Sequence, residues 1–180
     1  ATFKDRRTLV VGDIEIRARR FVIATGSTPA VPPIPGLEQG PYFTNETIFG
    51  LAERPAHLIV IGAGPIGLEM AQAFRRLGSS VTVLEQAAPL AKDDPECAMI
   101  VLDQLEREGV VIRSGVKVIG ISHAGASITA TIETAGAEQT VTGSHLLVAT
   151  GRKATIDGLA LDAAGVDVLA LTSRWEGLPN

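Results

Sequence analysis

Residues 62 to 67 read Gly62-Ala63-Gly64-Pro65-Ile66-Gly67, three glycines in the spacing G-x-G-x-x-G. Alone this is a weak signal, because glycines also serve tight packing turns. Here it directly follows an apolar run, His57 to Ile61, and opens an amphipathic stretch that ends at Gly78. A second apolar run, Val81 to Leu84, closes on an acid, Glu85, 18 residues beyond the last glycine. Together these parts suit a dinucleotide. Gly62 allows the tight turn, Gly64 lets the backbone approach a pyrophosphate, and Gly67 lets helix and strand pack closely. The helix start supplies free amides and a partial positive charge for the phosphates. Glu85 can accept hydrogen bonds from both hydroxyls of an adenosine ribose.

A carboxylate at Glu85 repels a 2′-phosphate, which favours NAD(H) over NADP(H). Arg75 and Arg76 offer an alternative phosphate clamp, but they fall near the C-terminal end of the helix, where cations suit the dipole and face solvent. Glu69 has two readings. It complements the dipole in the first turns of the helix, or it points toward the nicotinamide end of the cofactor. The residues alone leave these level.

The elements that must position these groups follow from periodicity. After Val81 to Leu84, Asp94-Pro95 offers an N-cap followed by proline at the first helical position. Ala98, Val101, Leu102 and Leu105 then give an apolar helical face, stopped by Gly109. On the preceding helix the apolar positions are Ile66, Met70, Ala73, Phe74 and Leu77. Val110 to Ile112 predicts a third parallel strand. Val116 to Ser122, Ser127 to Glu133 and Glu138 to Thr142 predict an antiparallel meander. Upstream, Leu9 to Val11 and Ile14 to Ala18 flank the hairpin pair Gly12-Asp13. Phe21 to Gly26 and Leu146 to Gly151 echo each other, each predicting a short buried strand ending on glycine. The proline-rich stretch Pro29 to Gly36 predicts a stiff crossing loop, and Thr44 to Leu51 a short helix before Arg54-Pro55.

Composition sets the bounds. The chain has 180 residues, of which 46% are hydrophobic and 20% charged, enough for a sizeable core. Its net charge of -4 argues against nucleic-acid binding. There is no membrane-length apolar run and no secretory-signal pattern, so a soluble, cytoplasmic chain of α/β class is expected. The single cysteine, Cys97, excludes an internal disulfide and is expected to be a small core residue. His57, His123 and His145 lack ligand spacing and read as structural or solvated, so no metal site is expected.

The run Ile61 to Ala71, with the two Ala-Thr-Gly strands either side of it, resembles the FAD-dependent pyridine nucleotide-disulfide oxidoreductases. Gln72-Ala73-Phe74-Arg75-Arg76-Leu77-Gly78 and Lys92-Asp93-Asp94-Pro95-Glu96 are most similar to the branch holding dihydrolipoamide dehydrogenases and mercuric reductase-like proteins. The resemblance covers roughly residues 1 to 161. It implies a Rossmann-like NAD domain, residues 53–149, made of a parallel sheet, two helices and the meander. That domain would be inserted between residues 1–52 and 150–180 of a partial FAD domain. It further implies that Gly62, Ala63, Gly64, Pro65, Ile66, Gly67 and Glu85 hold NAD(H), and that Val118 lines the adenine side. Gly151, followed by Arg152, would close over the nicotinamide side, and Thr25 and Gly26 would run beside the flavin. Glu69 matches the family carboxylate near nicotinamide and flavin, and is the implied catalytic residue.

The family's first flavin glycine motif, its redox cysteine pair, its distal Gly-Asp motif and its dimerisation domain with a catalytic histidine are not in this sequence. The stretch from Val166 to Asn180 departs from the family pattern. Three functions therefore remain in view. The first is the NAD(H)-binding part of a flavoenzyme passing hydride onward to a disulfide, a metal ion or a similar acceptor, a homodimer through a region missing here. The second is an isolated, non-catalytic NAD(H)-binding module. The third is a relative that reduces ferredoxin, quinone or oxygen.

Overall fold

A computed structural model gives the structure of residues 1–168. The expectation for the tail beyond Val168, including Arg174-Trp175-Glu176-Gly177, lies outside the described residues. The chain forms two compact units, residues 29–151 and a smaller one made of residues 1–28 with the described residues from Arg152 on. This is a division by packing, distinct from the implied division by cofactor.

In the smaller unit, β1 (Thr2–Asp5), β2 (Thr8–Val11) and β3 (Ile14–Arg17) form an antiparallel meander. The hairpin at Gly12-Asp13 is as expected, with Val11 opposite Ile14 and Gly12 at φ 59°. The expected strand over Phe21 to Gly26 does not form. A strand needs a neighbour for its amides and carbonyls, and no strand among the described residues pairs with this segment. Val22 is 90% exposed. Phe21 packs by its side chain instead, edge-on to Phe3 with ring centroids 5.2 Å apart. The short strand β4 (Ser27–Pro29) follows.

The larger unit begins with a proline-rich loop and two single 3-10 turns, Leu37–Gln39 and Ile48–Gly50. The expected helix over Thr44 to Leu51 shrinks to the second of these. The Thr44 amide donates to Thr47 Oγ1 at 2.9 Å and the Glu46 amide to Thr44 Oγ1 at 3.3 Å, bonds that suit a helix start, but the backbone is extended again by Leu51, at φ -63° and ψ 123°.

Next come β5 (His57–Ile61), α1 (Pro65–Arg76), β6 (Ser80–Glu85), α2 (Pro95–Arg107) and β7 (Val111–Ser114). The meander is β8 (Lys117–Ala124), β9 (Ser127–Thr134) and β10 (Ala137–Gly143), followed by β11 (His145–Val148). The parallel sheet runs β11-β5-β6-β7. After it, β12 (Arg152–Ala154) pairs with β4.

Strands β11, β5 and β6 of the parallel sheet are buried on both faces, which is why they read as continuous apolar runs, while the edge strand β7 is partly exposed. Successive side chains alternate between the faces. Leu58, Val60, Val81, Val83 and Leu147 pack with Leu68, Ala71 and Leu105 of the two helices. Ile59, Ile61, Leu84, Leu146 and Val148 pack with Ile121, Ile128, Ala130, Ile132 and Val141 of the meander. Helices on one side and meander on the other is the expected arrangement.

Two helical faces differ from expectation. The buried positions of α1 are Gly67, Leu68 and Ala71, while Ala73 is exposed and Leu77 is 67% exposed. Small residues let the helix lie close to the sheet, and a stripe read from large apolar side chains misses them. On α2 only Ala98 and Leu105 are buried. Cys97 is exposed, correcting its expected place in the core. It precedes Ala98 by one residue, which turns it roughly 100° off the buried face. Val101 is likewise exposed.

Candidate functional site

The chain leaves β5 through the glycine turn, at the carboxyl end of the parallel sheet, where open α/β sheets hold ligands. The Gly62 amide still donates to the Leu84 carbonyl at 2.9 Å, as a last rung between β5 and β6. Gly62 then takes φ 106°, and a Cβ there would lie 2.4 Å from the Ala149 carbonyl oxygen. A Cβ on Gly67 would lie 2.1 Å from the Gly62 carbonyl oxygen, so this glycine sets the approach of α1 to the turn. Gly64 is different. Its φ of -79° and ψ of 178° are open to any residue, and nothing lies within 4 Å of where its Cβ would be. The protein's own packing explains Gly62 and Gly67; it gives no reason for Gly64.

The two helix starts contrast in the same way. Asp94 caps α2, accepting from the amides of Glu96 at 2.9 Å and Cys97 at 3.3 Å. At α1 the cap position is Gly64 and no side chain takes up the first-turn amides. A helix start without a cap needs partners for its free N–H groups, and its dipole favours an anion. Pro65 at the first helical position fixes the entry of the chain.

Gly62, Ala63, Gly64, Pro65, Ile66, Glu85, Val118 and Gly151 line a single cavity of about 920 Å³. Pockets of roughly 300–1,000 Å³ are the usual size for small-molecule and cofactor sites. The apolar run Pro32 to Pro35, read from the sequence only as a crossing loop, lines the cavity too. Two cations, Lys92 and Lys117, and a second acid, Asp93, also line it. Sequence reasoning missed Lys117 as a site residue. Its signal was adjacency to Val118 at the start of a meander whose first strand edges the cavity.

Glu85 ends β6 with its carboxylate turned back on the turn. One oxygen accepts from the Ala63 amide at 2.7 Å and the other from the Ala87 amide at 2.8 Å. A carboxylate has about four lone-pair sites, so roughly two remain for a ligand.

Four expected residues are not brought to this cavity. Glu69 is exposed on α1 and lines a second cavity of about 310 Å³, shared with Gln72, Asp93 and Cys97 of this unit. Thr25 and Gly26 belong to the smaller unit, where both are exposed and the Gly26 carbonyl accepts from the Thr155 amide at 2.9 Å. Gly67 stands behind the turn rather than in the cavity wall. Arg152 donates through Nε to Ser27 Oγ at 2.7 Å.

Arg75 and Arg76 are engaged elsewhere. Arg75 donates to the carbonyls of Glu108 and Ser79, and Arg76 grips the Glu108 carboxylate at 2.7 and 2.6 Å. They stand at the far end of α1, roughly 18 Å along its axis from the turn. The hydrogen-bonded Arg76 guanidinium, with Gln104 and Gln72, holds the Glu108 carboxyl down at about 2.

The histidines are arranged at other places. His57 Nε2 lies 2.9 Å from Thr82 Oγ1, and burial lowers its pKa from the ordinary value. His145 Nδ1 lies 3.0 Å from Ser144 Oγ. Both begin parallel strands, at the end of the sheet opposite the glycine turn. Neither ring nitrogen of His123 has a hydrogen-bond partner among the described residues. No group of three or more His, Cys, Asp or Glu among the described residues is placed to hold a metal ion. No described helix is long and apolar enough to cross a membrane.

Comparison with known proteins places this geometry. The chain is 37% identical over 171 residues to a mercuric reductase of Streptomyces lividans, covering 92% of this chain and 36% of that protein. It is 38% identical to a mercuric reductase of Lysinibacillus sphaericus, covering 93% of this chain and 31% of the relative. Among solved structures it superposes on the HOCl-induced flavoprotein disulfide reductase RclA from Escherichia coli with a TM-score of 0.78 at 33% identity, covering 93% of this chain and 38% of that one. LpdA from Mycobacterium tuberculosis gives a TM-score of 0.76 at 27% identity, covering 89% and 35%. The chain thus spans about a third of the length of the relatives it matches. The family model for pyridine nucleotide-disulphide oxidoreductases matches residues 1–171, and the chain belongs to that family.

Proposed function

We infer that this chain is the NAD(H)-binding portion of a flavin-dependent oxidoreductase, one that moves hydride between NAD(H) and FAD and onward to a disulfide, a metal ion or a similar acceptor. The observation that carries the reading is the unexplained Gly64, beside an uncapped helix start and facing a cavity of cofactor size. The residues fit a dinucleotide. The α1 amides and dipole take the pyrophosphate, and Gly64 keeps the backbone clear for it. Glu85 offers its remaining lone pairs to the adenosine ribose, Val118 borders the adenine and Gly151 the nicotinamide side. Gly67 keeps α1 seated against the turn. Bound NAD(H) supplies the hydride; the chain supplies grip and orientation. The family match supports Glu69 as the residue nearest the reacting ring in the complete protein, although here it lines the second cavity.

The flavin is a separate matter. Thr25 and Gly26 are exposed on a segment without a strand partner, and the family match supports their running beside the flavin only in the complete protein. That observation also favours a second reading for the chain by itself, a non-catalytic NAD(H)-binding module. In the complete protein we place FAD beside Thr25 and Gly26 and on residues beyond the described ones, and a cytoplasmic homodimer as its form. Two relatives named as mercuric reductases support a metal ion as acceptor, and one named as a disulfide reductase supports a disulfide.

The test is a titration of the purified chain with NADH and NADPH, followed by nucleotide fluorescence. NADH should bind at least tenfold tighter, since a carboxylate about 4 Å from a 2′-phosphate opposes it by a few kcal/mol at an effective dielectric near 20. Equal affinities would sink the ribose role of Glu85, and absence of any binding would sink the dinucleotide reading.

A further inference from the structure

We propose that Glu85 is a positioning residue for the phosphate-binding turn, acting through the Ala63 peptide as well as on the ligand; this rests on the dinucleotide reading of that turn. Ala63 is only 1% exposed and lies one residue past the last rung between β5 and β6. Its amide therefore has no ladder partner, and a buried amide without a partner is costly. The Glu85 carboxylate supplies the partner at 2.7 Å. The next peptide group of the turn, Ala63–Gly64, is held as well, since Ala63 O accepts from the Leu90 amide at 3.1 Å.

Glu85 is itself held at both ends. Its second carboxylate oxygen accepts from the Ala87 amide at 2.8 Å, and its backbone carbonyl accepts from the Val116 amide at 3.0 Å. The segment from Glu85 to Leu90 thereby clamps the residue between Gly62 and Gly64. The two glycines bracketing Ala63 give the turn little stiffness of its own. A clamp on Ala63 fixes the direction of the next amides, at the start of α1, before any ligand arrives. The ribose-reading acid and the phosphate-reading turn are thus one mechanical unit.

The experiment uses the full chain with Glu85→Ala and Glu85→Gln, and two readouts. One is amide hydrogen exchange at Ala63 and Ala87, with Val83 as an internal reference. The other is titration with NADH and with reduced nicotinamide mononucleotide, which carries a phosphate but no adenosine ribose. For Glu85→Ala we expect Ala63 exchange about tenfold faster or more, with Val83 unchanged. Affinity for the mononucleotide should fall roughly fivefold or more. Unchanged Ala63 exchange, or a mononucleotide affinity kept while NADH affinity falls, overturns the proposal and leaves Glu85 a direct ligand contact only. Glu85→Gln keeps the shape if the alanine variant fails to fold. A carboxamide has a single acceptor oxygen, so one of the two amides must lose protection; protection of both at the original level overturns the clamp. An unaltered chain that binds neither nucleotide overturns the dinucleotide reading itself, and is told apart by involving no variant.

Discussion

Substituting alanine at each glycine of the turn separates folding from binding, because the three sites differ in what a methyl group would meet. At Gly64 it meets nothing within 4 Å, and the backbone conformation is ordinary. Reduced freedom of the unfolded chain stabilises by about 0.4–1 kcal/mol. Loss of glycine at the helix cap destabilises by a similar amount, about 0.5–1 kcal/mol. The net effect of Gly64→Ala on stability should therefore stay within about 1 kcal/mol, a Tm shift of at most about 4 °C for a chain of this length. At Gly67 the methyl carbon falls 2.1 Å from a backbone oxygen, so α1 must lift off the turn. Overpacking of this kind costs about 1–3 kcal/mol or more. At Gly62 the contact is 2.4 Å and φ is 106°, adding backbone strain of about 1–3 kcal/mol.

The order of stability should be Gly64→Ala close to the unaltered chain, then Gly67→Ala, then Gly62→Ala. Urea unfolding measures it, and NADH titration of the folded variants measures the other half. Gly64→Ala should lose at least about tenfold in NADH affinity, about 1.4 kcal/mol, because the methyl occupies ligand space. A Gly64→Ala chain that unfolds as readily as Gly67→Ala, or that holds NADH as tightly as the unaltered chain, would refute the reasoning.

Other expectations are simpler. Glu85→Ala should weaken NADH binding and narrow its advantage over NADPH, read from paired titrations; an unchanged ratio removes the charge argument. Glu108 is held at about 2 against an ordinary 4.5, so its share of stability is present above about pH 4.5 and is lost as pH falls through about 2. Glu108→Gln should flatten the fall of Tm between those values, and an unaltered acid limb would contradict the Arg76 pairing. Asp94→Ala removes the only side-chain cap of α2 and should cost about 1 kcal/mol in urea unfolding. A native chain should react stoichiometrically at Cys97 with a small disulfide reagent, since the thiol is exposed; labelling only after denaturation would return Cys97 to the core.

The parallel sheet was legible because β11, β5 and β6 are buried on both faces and read as unbroken apolar runs, such as Leu58 to Ile61. The meander was legible because its strands alternate. What failed was what depends on partners rather than on pattern. Phe21 to Gly26 has the composition of a strand but no neighbour to pair with among the described residues. Thr44 to Leu51 has helical spacing and capping bonds at its start, yet the chain turns extended at Leu51 after one turn. The face of α1 was misread by rotation, since Gly67 and Ala71 carry little hydrophobic signal while setting how closely the helix lies.

For the site, glycine spacing gave the turn, but only the fold separates Gly62 and Gly67, fixed by packing, from Gly64, which is not. The hydrogen bond from Ala63 to Glu85 joins residues 22 apart and leaves no trace in composition. Nor did spacing reveal that Glu69 and Gly64, five positions apart on one helix start, line different cavities.

The most direct test follows backbone amide shifts of the isotopically labelled chain during addition of NADH. The amides of Gly64, Ile66, Gly67 and Glu85 should move together with one saturation curve, while those of His57 and His145 at the other end of the sheet stay in place. Shifts absent from the glycine turn, or centred on the second cavity beside Glu69 and Cys97, would contradict a dinucleotide held at the start of α1.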